Sequence, residues 1–397
     1  MYPSLFCPMR KTKASKKIGI VTGGGDAPGL NAVIQAIVVA SQEKKWQVLG
    51  YKAGWAGALK NEYEKLTIPR IKDIQREGGT ILGTSRTNPA KFAHGYEIIL
   101  KNFKKVNLAG LIAIGGEDTL GVALELERRN FPVIGVPKTI DDDIGETDYT
   151  FGFDTAVNRI AESLDRLYTT ARAHHRTIVV EIMGRHAGWM TLYGAVAGGA
   201  HIILIPEVPF KIEEICKKIL ARYKKGLTFA LIACAEGIED RELAEKAEKE
   251  KDLVRKTCLA QGLNEKIVDK VVGKPMYDAF GHPILGGKEV GKMIAEEITR
   301  RLKDRARPFM PAGIEFGARW VQLGHLQRGG SPTTFDRMLC IQFGLKAVDL
   351  IEKGQFGKMV SLRGGNIKKV SLKKALSKHK TVPPALYHRL MYFWENS

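Results

Sequence analysis

No apolar run in the chain approaches the roughly 18 residues that a membrane-spanning helix requires, so no span is expected. The five cysteines, Cys7, Cys216, Cys234, Cys258 and Cys340, stand far apart, with no Cys-x-x-Cys and no Cys/His metal spacing. That argues against a disulfide scaffold or a zinc site and for reduced thiols in a cytoplasm. The basic start has no apolar core followed by a small-residue cleavage site, so residues 1–16 are expected to be a loose basic leader. Two nucleotide motifs are missing as well. The glycine turn after the first apolar run, Gly23 to Gly29, carries Pro28 where the dinucleotide fingerprint needs glycine, and no Lys-Ser/Thr follows it. The stretch Gly286 to Lys292 has P-loop spacing, but Met293 replaces the Mg²⁺-holding hydroxyl and no buried strand precedes it. It is rejected as a nucleotide site.

Charge is the one excess. The 62 Lys and Arg against 43 Asp and Glu give a net charge of +19, which raises nucleic acid as a partner. The lysines are spread along the chain, however, with no basic stripe interleaved with aromatics, so nucleic acid is not expected to be the main partner. Anionic small molecules account for local arginine clusters but not for the whole excess.

At 397 residues the chain can bury two substantial cores, and its 44% apolar and 26% charged composition is that of an ordinary globular protein. Short apolar runs at 17–22, 48–51, 108–114, 131–136, 177–182, 202–205, 227–235 and 318–323 read as strands. Helical spacing follows several of them, at 30–45, 120–129, 153–173 and 335–350. Alternating strands and helices with polar loops after the strands predict an α/β fold of two doubly wound, Rossmann-like domains with parallel-rich sheets. Ligands of such sheets sit at the carboxyl ends of the strands. Residues 238–275 are charged and helical in character and read as a surface insertion. The tail beyond Lys368 is basic and offers no pattern.

Glycine and charge meet at the strand ends. Gly23 to Gly29 opens a helix N-terminus, an arrangement that cradles phosphate with backbone N–H groups. A hydroxyl-rich loop, Gly78 to Arg86, ends on an arginine suited to bidentate phosphate contact. Glu117 and Asp118 follow Gly115-Gly116, where they either cap a helix or bind a metal. The densest stretch is Gly135 to Gly145. It leaves a strand through Pro137, which signals that the ladder is ending, and continues with Lys138, Thr139, Ile140, Asp141, Asp142 and Asp143. Adjacent carboxylates repel, so either they form a solvated turn or a cation, metal or proton-transfer task compensates them. Met183-Gly184-Arg185-His186-Ala187-Gly188, Glu236-Gly237 and Gly324 to Pro332 close other strands. Together these loops, with Arg176 and Arg319 at strand starts, offer many basic groups beside a few acids, the makeup of a site for two phosphates and a metal.

Six stretches occur in a recognisable order: Gly23 to Asn31, Gly115 to Thr119, Pro137 to Asp143, Glu181 to Gly188, Pro206 to Phe210 and Leu323 to Pro332. In that order they resemble the successive signatures of the phosphofructokinase family, over about residues 17–362. The resemblance implies an enzyme that moves a phosphoryl group to the 1-hydroxyl of fructose 6-phosphate. By motif position Asp141 would be the general base. Thr139 would orient the substrate, and Arg185 would neutralise charge on the transferred group. Glu117 and Asp143 would hold Mg²⁺ with the donor, although many relatives have Asp at the position of Glu117. Arg176, Arg319, His325 and Arg328 would hold the sugar's 6-phosphate, and Met183, Gly184 and Glu236 would line the sugar. Gly24, Arg86, Asp118 and Lys138 would face the donor. Two of the phosphate arginines commonly come from a neighbouring subunit in such enzymes, which implies a homodimer or homotetramer.

Asp118 and Lys138 bear on the donor. ATP-dependent members resemble this chain but carry glycine at both positions. A carboxylate at Asp118 would repel a nucleotide's α-phosphate, and like charges at about 4 Å cost roughly 4 kcal/mol at an effective dielectric of 20. Lys138 could reach pyrophosphate's own oxygens. The pair therefore resembles the pyrophosphate-dependent branch. An ATP-dependent enzyme, a non-catalytic sugar-phosphate binder and wider acceptor use, including sedoheptulose 7-phosphate, are the alternatives. The expected boundaries are a phosphoryl-donor domain at 17–152 plus about 327–377, and a sugar-phosphate domain at 153–326 plus about 378–397.

Overall fold

The computed structural model describes residues 16–238, 252–265, 267–268, 279–280 and 289–395. The leader before Lys16, most of the charged insertion and Gly286 to Lys288 lie outside the described residues.

Two sheets organise the chain. The first contains β1 (Lys17–Thr22), β2 (Gln47–Tyr51), β3 (Tyr63–Leu66), β4 (Leu108–Gly115), β5 (Val133–Thr139), the short β6 (Phe151–Gly152), β11 (Lys358–Arg363) and β12 (Asn366–Ser371). Its order is β12-β11-β5-β4-β1-β2-β3, with β6 paired to β5. The second contains β7 (Thr177–Ile182), β8 (Ile202–Leu204), β9 (Ala230–Ala235) and β10 (Ala318–Gln322), in the order β10-β7-β9-β8. All pairs of the second sheet are parallel. The first is parallel except at its edges, where β3 and β12 run antiparallel to β2 and β11.

Side-chain alternation covers both faces of each sheet. In β4, Ile112 and Ile114 join a core with the helices Leu30–Glu43 and Thr334–Glu352. Leu111 and Ala113, one residue out of phase, join another with Gly95–Lys105 and Glu117–Arg128. In the second sheet Val180 and Ile182 face the helices Phe153–Ala173 and Trp189–Ala197. Val179, with Ile232 of β9, faces Ile212–Lys224 and Val290–Ala306. Both sheets are doubly wound, as the strand and helix pattern predicts. Gly344 permits close packing on the first face, since a Cβ there would stand 2.7 Å from that of Ala36.

The topology decides where loops diverge. From β1 the chain runs outward to β2 and β3, then returns to place β4 on the other side of β1. The carboxyl ends of β1 and β4 therefore flank a crevice at a topological switch point. In the second sheet the chain passes from β7 to the far edge, fills in β9, and crosses to β10 on the opposite side of β7.

Two local expectations change. Pro137 does not end its strand. It still pairs with Gly115, and Lys138 and Thr139 continue the ladder against Phe151 and Gly152. Proline removes one donor, but the switch of partner from β4 to β6 leaves the rest of the strand paired. The helix after β4 begins at Glu117 rather than Leu120, because Gly116 is its N-cap and the two acids form its first turn.

Candidate active site

The glycine turn after β1 is held from two directions. Gly23 donates to the Ile114 carbonyl at 3.0 Å, and Gly24 donates to that of Ser85 at 3.2 Å. Thr84 Oγ1 returns a bond to the Gly24 carbonyl at 2.6 Å, and Ser85 Oγ bonds the Ala53 carbonyl at 2.7 Å. The hydroxyl-rich loop thus laces itself to the turn, which brings Arg86 to the same cleft as Gly24. Thr119 is buried against the crevice floor, where a Cβ on Gly23 would stand 2.4 Å from its Oγ1.

From β5 comes a buried cation. Lys138 is 3% exposed, and its ammonium donates to the Gly25 carbonyl. Burial pushes it down to about 7, the nearby Arg328 adds to that, and Asp26, Asp141 and Asp143 oppose it. Arg328 reaches across from the loop after β10 to donate to the Asp26 carbonyl at 3.0 Å.

The acid triplet divides three ways. Burial first, then the Asp143 charge, holds the Asp141 carboxyl well above the usual carboxylate range, against Arg328, Arg185 and Lys138. Its Oδ1 is buried and has no hydrogen-bond partner among the described residues, while its N–H donates to Thr139 Oγ1 at 3.1 Å. Asp143 is also raised, by burial first and then by the charges of Glu117 and Asp142, with His379 opposing. Asp142 is not the solvated turn residue that loop composition suggests. It is 3% exposed and accepts from the Thr150 N–H at 2.8 Å, from Thr150 Oγ1 at 3.2 Å and from the Lys380 ammonium at 2.5 Å.

The second sheet supplies the facing wall. The loop after β7 carries Met183, Arg185 and His186 into the cleft, and the end of β9 carries Glu236. Gly237 lies so close that a Cβ would stand 2.0 Å from the Arg185 carbonyl oxygen. Arg185 Nε is buried without a hydrogen-bond partner among the described residues. Burial first, then Asp141, raises the Glu236 carboxyl, and a backbone bond from Gly184 opposes this. Gln327, fully buried, accepts from the Met183 N–H at 3.3 Å and ties the loop after β10 to the loop after β7.

The cleft therefore gathers Gly24, Arg86, Glu117, Asp118, Lys138, Thr139, Asp141, Asp143, Met183, Arg185, Glu236 and Arg328. Gly184 stands between Met183 and Arg185 in the same loop, at φ +133°. His325 is exposed on the short helix Gly324–Gln327. Arg176 and Arg319 do not reach this cleft in the same chain. Arg176 precedes β7, and Arg319 pairs with Ile178 near the start of β10. Both are exposed at the amino end of the sheet, a strand length or roughly 20 Å from the carboxyl end.

Residues with no assigned role in the motifs also belong here. Gly25, Gly116, Thr119 and His186 line the cleft, and the tail brings His379, whose Nε2 lies 3.5 Å from Glu117 Oε2. Thr119 and His186 stand inside the quoted motifs and were legible as neighbours of the acids and of Arg185. His379 had no such signal. Among the described residues no group of three or more His, Cys, Asp or Glu could hold a metal ion.

Two switch-point sheets, glycine turns and buried basic groups define a doubly wound α/β protein with an anion-binding cleft. The Phosphofructokinase family model matches residues 17–351, and the chain belongs to that family. A relative named pyrophosphate–fructose 6-phosphate 1-phosphotransferase, from Streptomyces coelicolor, is 43% identical over 380 residues, covering 95% of this chain and 99% of its own. A second protein of that organism, ATP-dependent 6-phosphofructokinase 3, is 41% identical over 372 residues, covering 94% of this chain and 98% of its own. The solved phosphofructokinase of Pichia pastoris in the T-state superposes with a TM-score of 0.71 at 26% identity, over all of this chain and 38% of that larger one.

Proposed function

We propose that the protein transfers a phosphoryl group reversibly between pyrophosphate and the 1-hydroxyl of fructose 6-phosphate, giving fructose 1,6-bisphosphate and phosphate. Relatives using either donor are almost equally similar, so overall identity does not separate them. The observation that carries the choice is Lys138, a buried ammonium held against the glycine turn beside Asp118 in one cleft. A compact anion can accept from that ammonium. A nucleotide would have to place a further phosphate against the Asp118 carboxylate.

Asp141 acts as general base in this reading. Its unpartnered Oδ1 suits a hydrogen bond from the attacking hydroxyl, and its raised affinity for protons suits taking that proton. Thr139 orients the acceptor hydroxyl through the same turn. Arg185, with its free Nε, stabilises the charge that spreads over the transferred group. Lys138 stabilises the leaving phosphate. Arg86 and Gly24 bind the donor's outer oxygens, and Met183, Gly184 and Glu236 bind the sugar. Arg328, which lines the cleft and donates to the Asp26 carbonyl, binds the sugar's 6-phosphate.

Glu117 and Asp143 fit a divalent cation, which we take to be Mg²⁺. Their charges face one another, and Mg²⁺ is ordinarily held by one or two carboxylates plus substrate phosphates. When bound it supplies neutralisation of the donor's phosphate oxygens. Arg176 and Arg319, remote from their own cleft, would join His325 and Arg328 in holding the 6-phosphate in the cleft of a second subunit, in a homodimer or homotetramer. The buried free thiols Cys216, Cys234 and Cys340 suit a cytoplasmic location. Among the described residues no helix is long and apolar enough to cross a membrane. Purified protein with Mg²⁺ and fructose 6-phosphate should turn over with pyrophosphate and barely with ATP, and preference for ATP would refute the donor assignment.

A further inference from the structure

Asp141 and Arg185 follow strands of different sheets, just after β5 and just after β7, so something must fix one against the other. The tail does this in five residues, Lys378 to Val382, between the helices Leu372–Ala375 and Pro384–Glu395. On one side His379 bridges to Ile144, and the Lys380 N–H donates to the Asp143 carbonyl at 2.8 Å. The Lys380 ammonium bonds Asp142 and the Asp148 carbonyl, at 2.5 and 2.6 Å. Gly145 leaves room for this crossing, since a Cβ there would stand 3.0 Å from the Lys378 carbonyl oxygen. On the other side Trp189 Nε1 donates to the Lys380 carbonyl at 2.9 Å. The Val382 N–H donates at 2.9 Å to Glu207, whose carboxylate also holds the Gly188 N–H at 3.0 Å.

We propose that Lys380 is a positioning residue for phosphoryl transfer, clamping the turn that carries Asp141 to the loop that carries Arg185. The proposal rests on the role given to Asp141 above. The clamp attaches one and two residues after Asp141 and three residues after Arg185, so a shift in it moves both groups relative to the transferred phosphoryl. Lys380 does not itself line the cleft. It acts through Asp142, whose buried carboxylate keeps its place because this ammonium and Thr150 satisfy it. A misplacement of about 1 Å in such a constellation costs on the order of 100-fold in rate while leaving the binding groups in place.

The test measures kcat, both KM values and Tm for the wild type and for Lys380→Met, Lys380→Arg and Trp189→Phe. Lys380→Met keeps the aliphatic stem and removes the charge. Expected is a kcat loss of about 10- to 100-fold with KM for fructose 6-phosphate within about threefold, and recovery of a large part of kcat in Lys380→Arg. A kcat within twofold of wild type in Lys380→Met, or an equal loss in Lys380→Arg at unchanged Tm, overturns the proposal. If Lys380→Met does not fold, Trp189→Phe decides: a kcat loss of about threefold or more at unchanged KM supports the clamp, and an unchanged kcat refutes it. Positioning of the base is independent of the donor, so the comparison is made with whichever donor the wild type uses. Failure of the pyrophosphate assignment therefore shows in the wild type alone, and failure of the clamp only in the variants.

Discussion

The Lys138 ammonium donates its hydrogen bond to the Gly25 carbonyl, so the cation at the end of β5 is pinned over the glycine turn that follows β1. The turn was legible as a phosphate cradle, and the lysine as a companion of three acids. Their contact makes a single anion site across the end of β4, which lies between β1 and β5, walled by Asp118 on the helix after β4.

Burial of Lys138 has a consequence for pH. Its ammonium is pushed down to about 7, so the free enzyme holds the cation below that pH and loses it as pH rises through it. The kcat/KM for pyrophosphate should fall on the alkaline side of about 7, a limb reporting the free enzyme. Lys138→Arg should abolish that limb, because a guanidinium does not titrate there. A limb that persists unchanged in the arginine variant assigns it to another group.

Replacing Asp141 by Asn removes the proton acceptor and keeps the shape. The expected result is a kcat lower by about 10²- to 10⁴-fold, with fructose 6-phosphate affinity, read by calorimetry, changed by less than about threefold. Retention of a tenth or more of wild-type kcat would remove Asp141 from the role of base.

Arg176 and Arg319 sit at the far end of β7 and β10 from their own cleft. Arg319→Ala should raise KM for fructose 6-phosphate by 10-fold or more, a loss of about 1.4 kcal/mol or more in binding. Mixing and reassembling Asp141→Asn with Arg319→Ala subunits should restore part of the activity, since a hybrid contains a cleft with both residues intact. No recovery on mixing would confine each cleft to one chain.

Strands β1, β4 and β7 were readable because each is a short apolar run with glycine at or just past its end. The edges were not. β3 reads Tyr63-Glu64-Lys65-Leu66, and β12 is rich in lysine, so neither shows the apolar run of a buried strand; as antiparallel edges they need none. Asp142 shows no sign of its burial in the sequence for a related reason. Its partner Lys380 lies 238 residues away, in a tail whose basic composition looks like solvated surface. Pairings of that reach leave no local trace in either stretch.

The central claim is that Asp118 and Lys138 together select pyrophosphate, and one ratio tests it most directly. That ratio is kcat/KM for pyrophosphate over kcat/KM for ATP, measured with Mg²⁺ and fructose 6-phosphate on the wild type and on Asp118→Gly/Lys138→Gly. The account predicts a ratio far above one in the wild type and a fall of about 100-fold or more in the double variant, on the order of 2.7 kcal/mol of discrimination. A wild type that prefers ATP, or a ratio untouched by the double substitution, would contradict it.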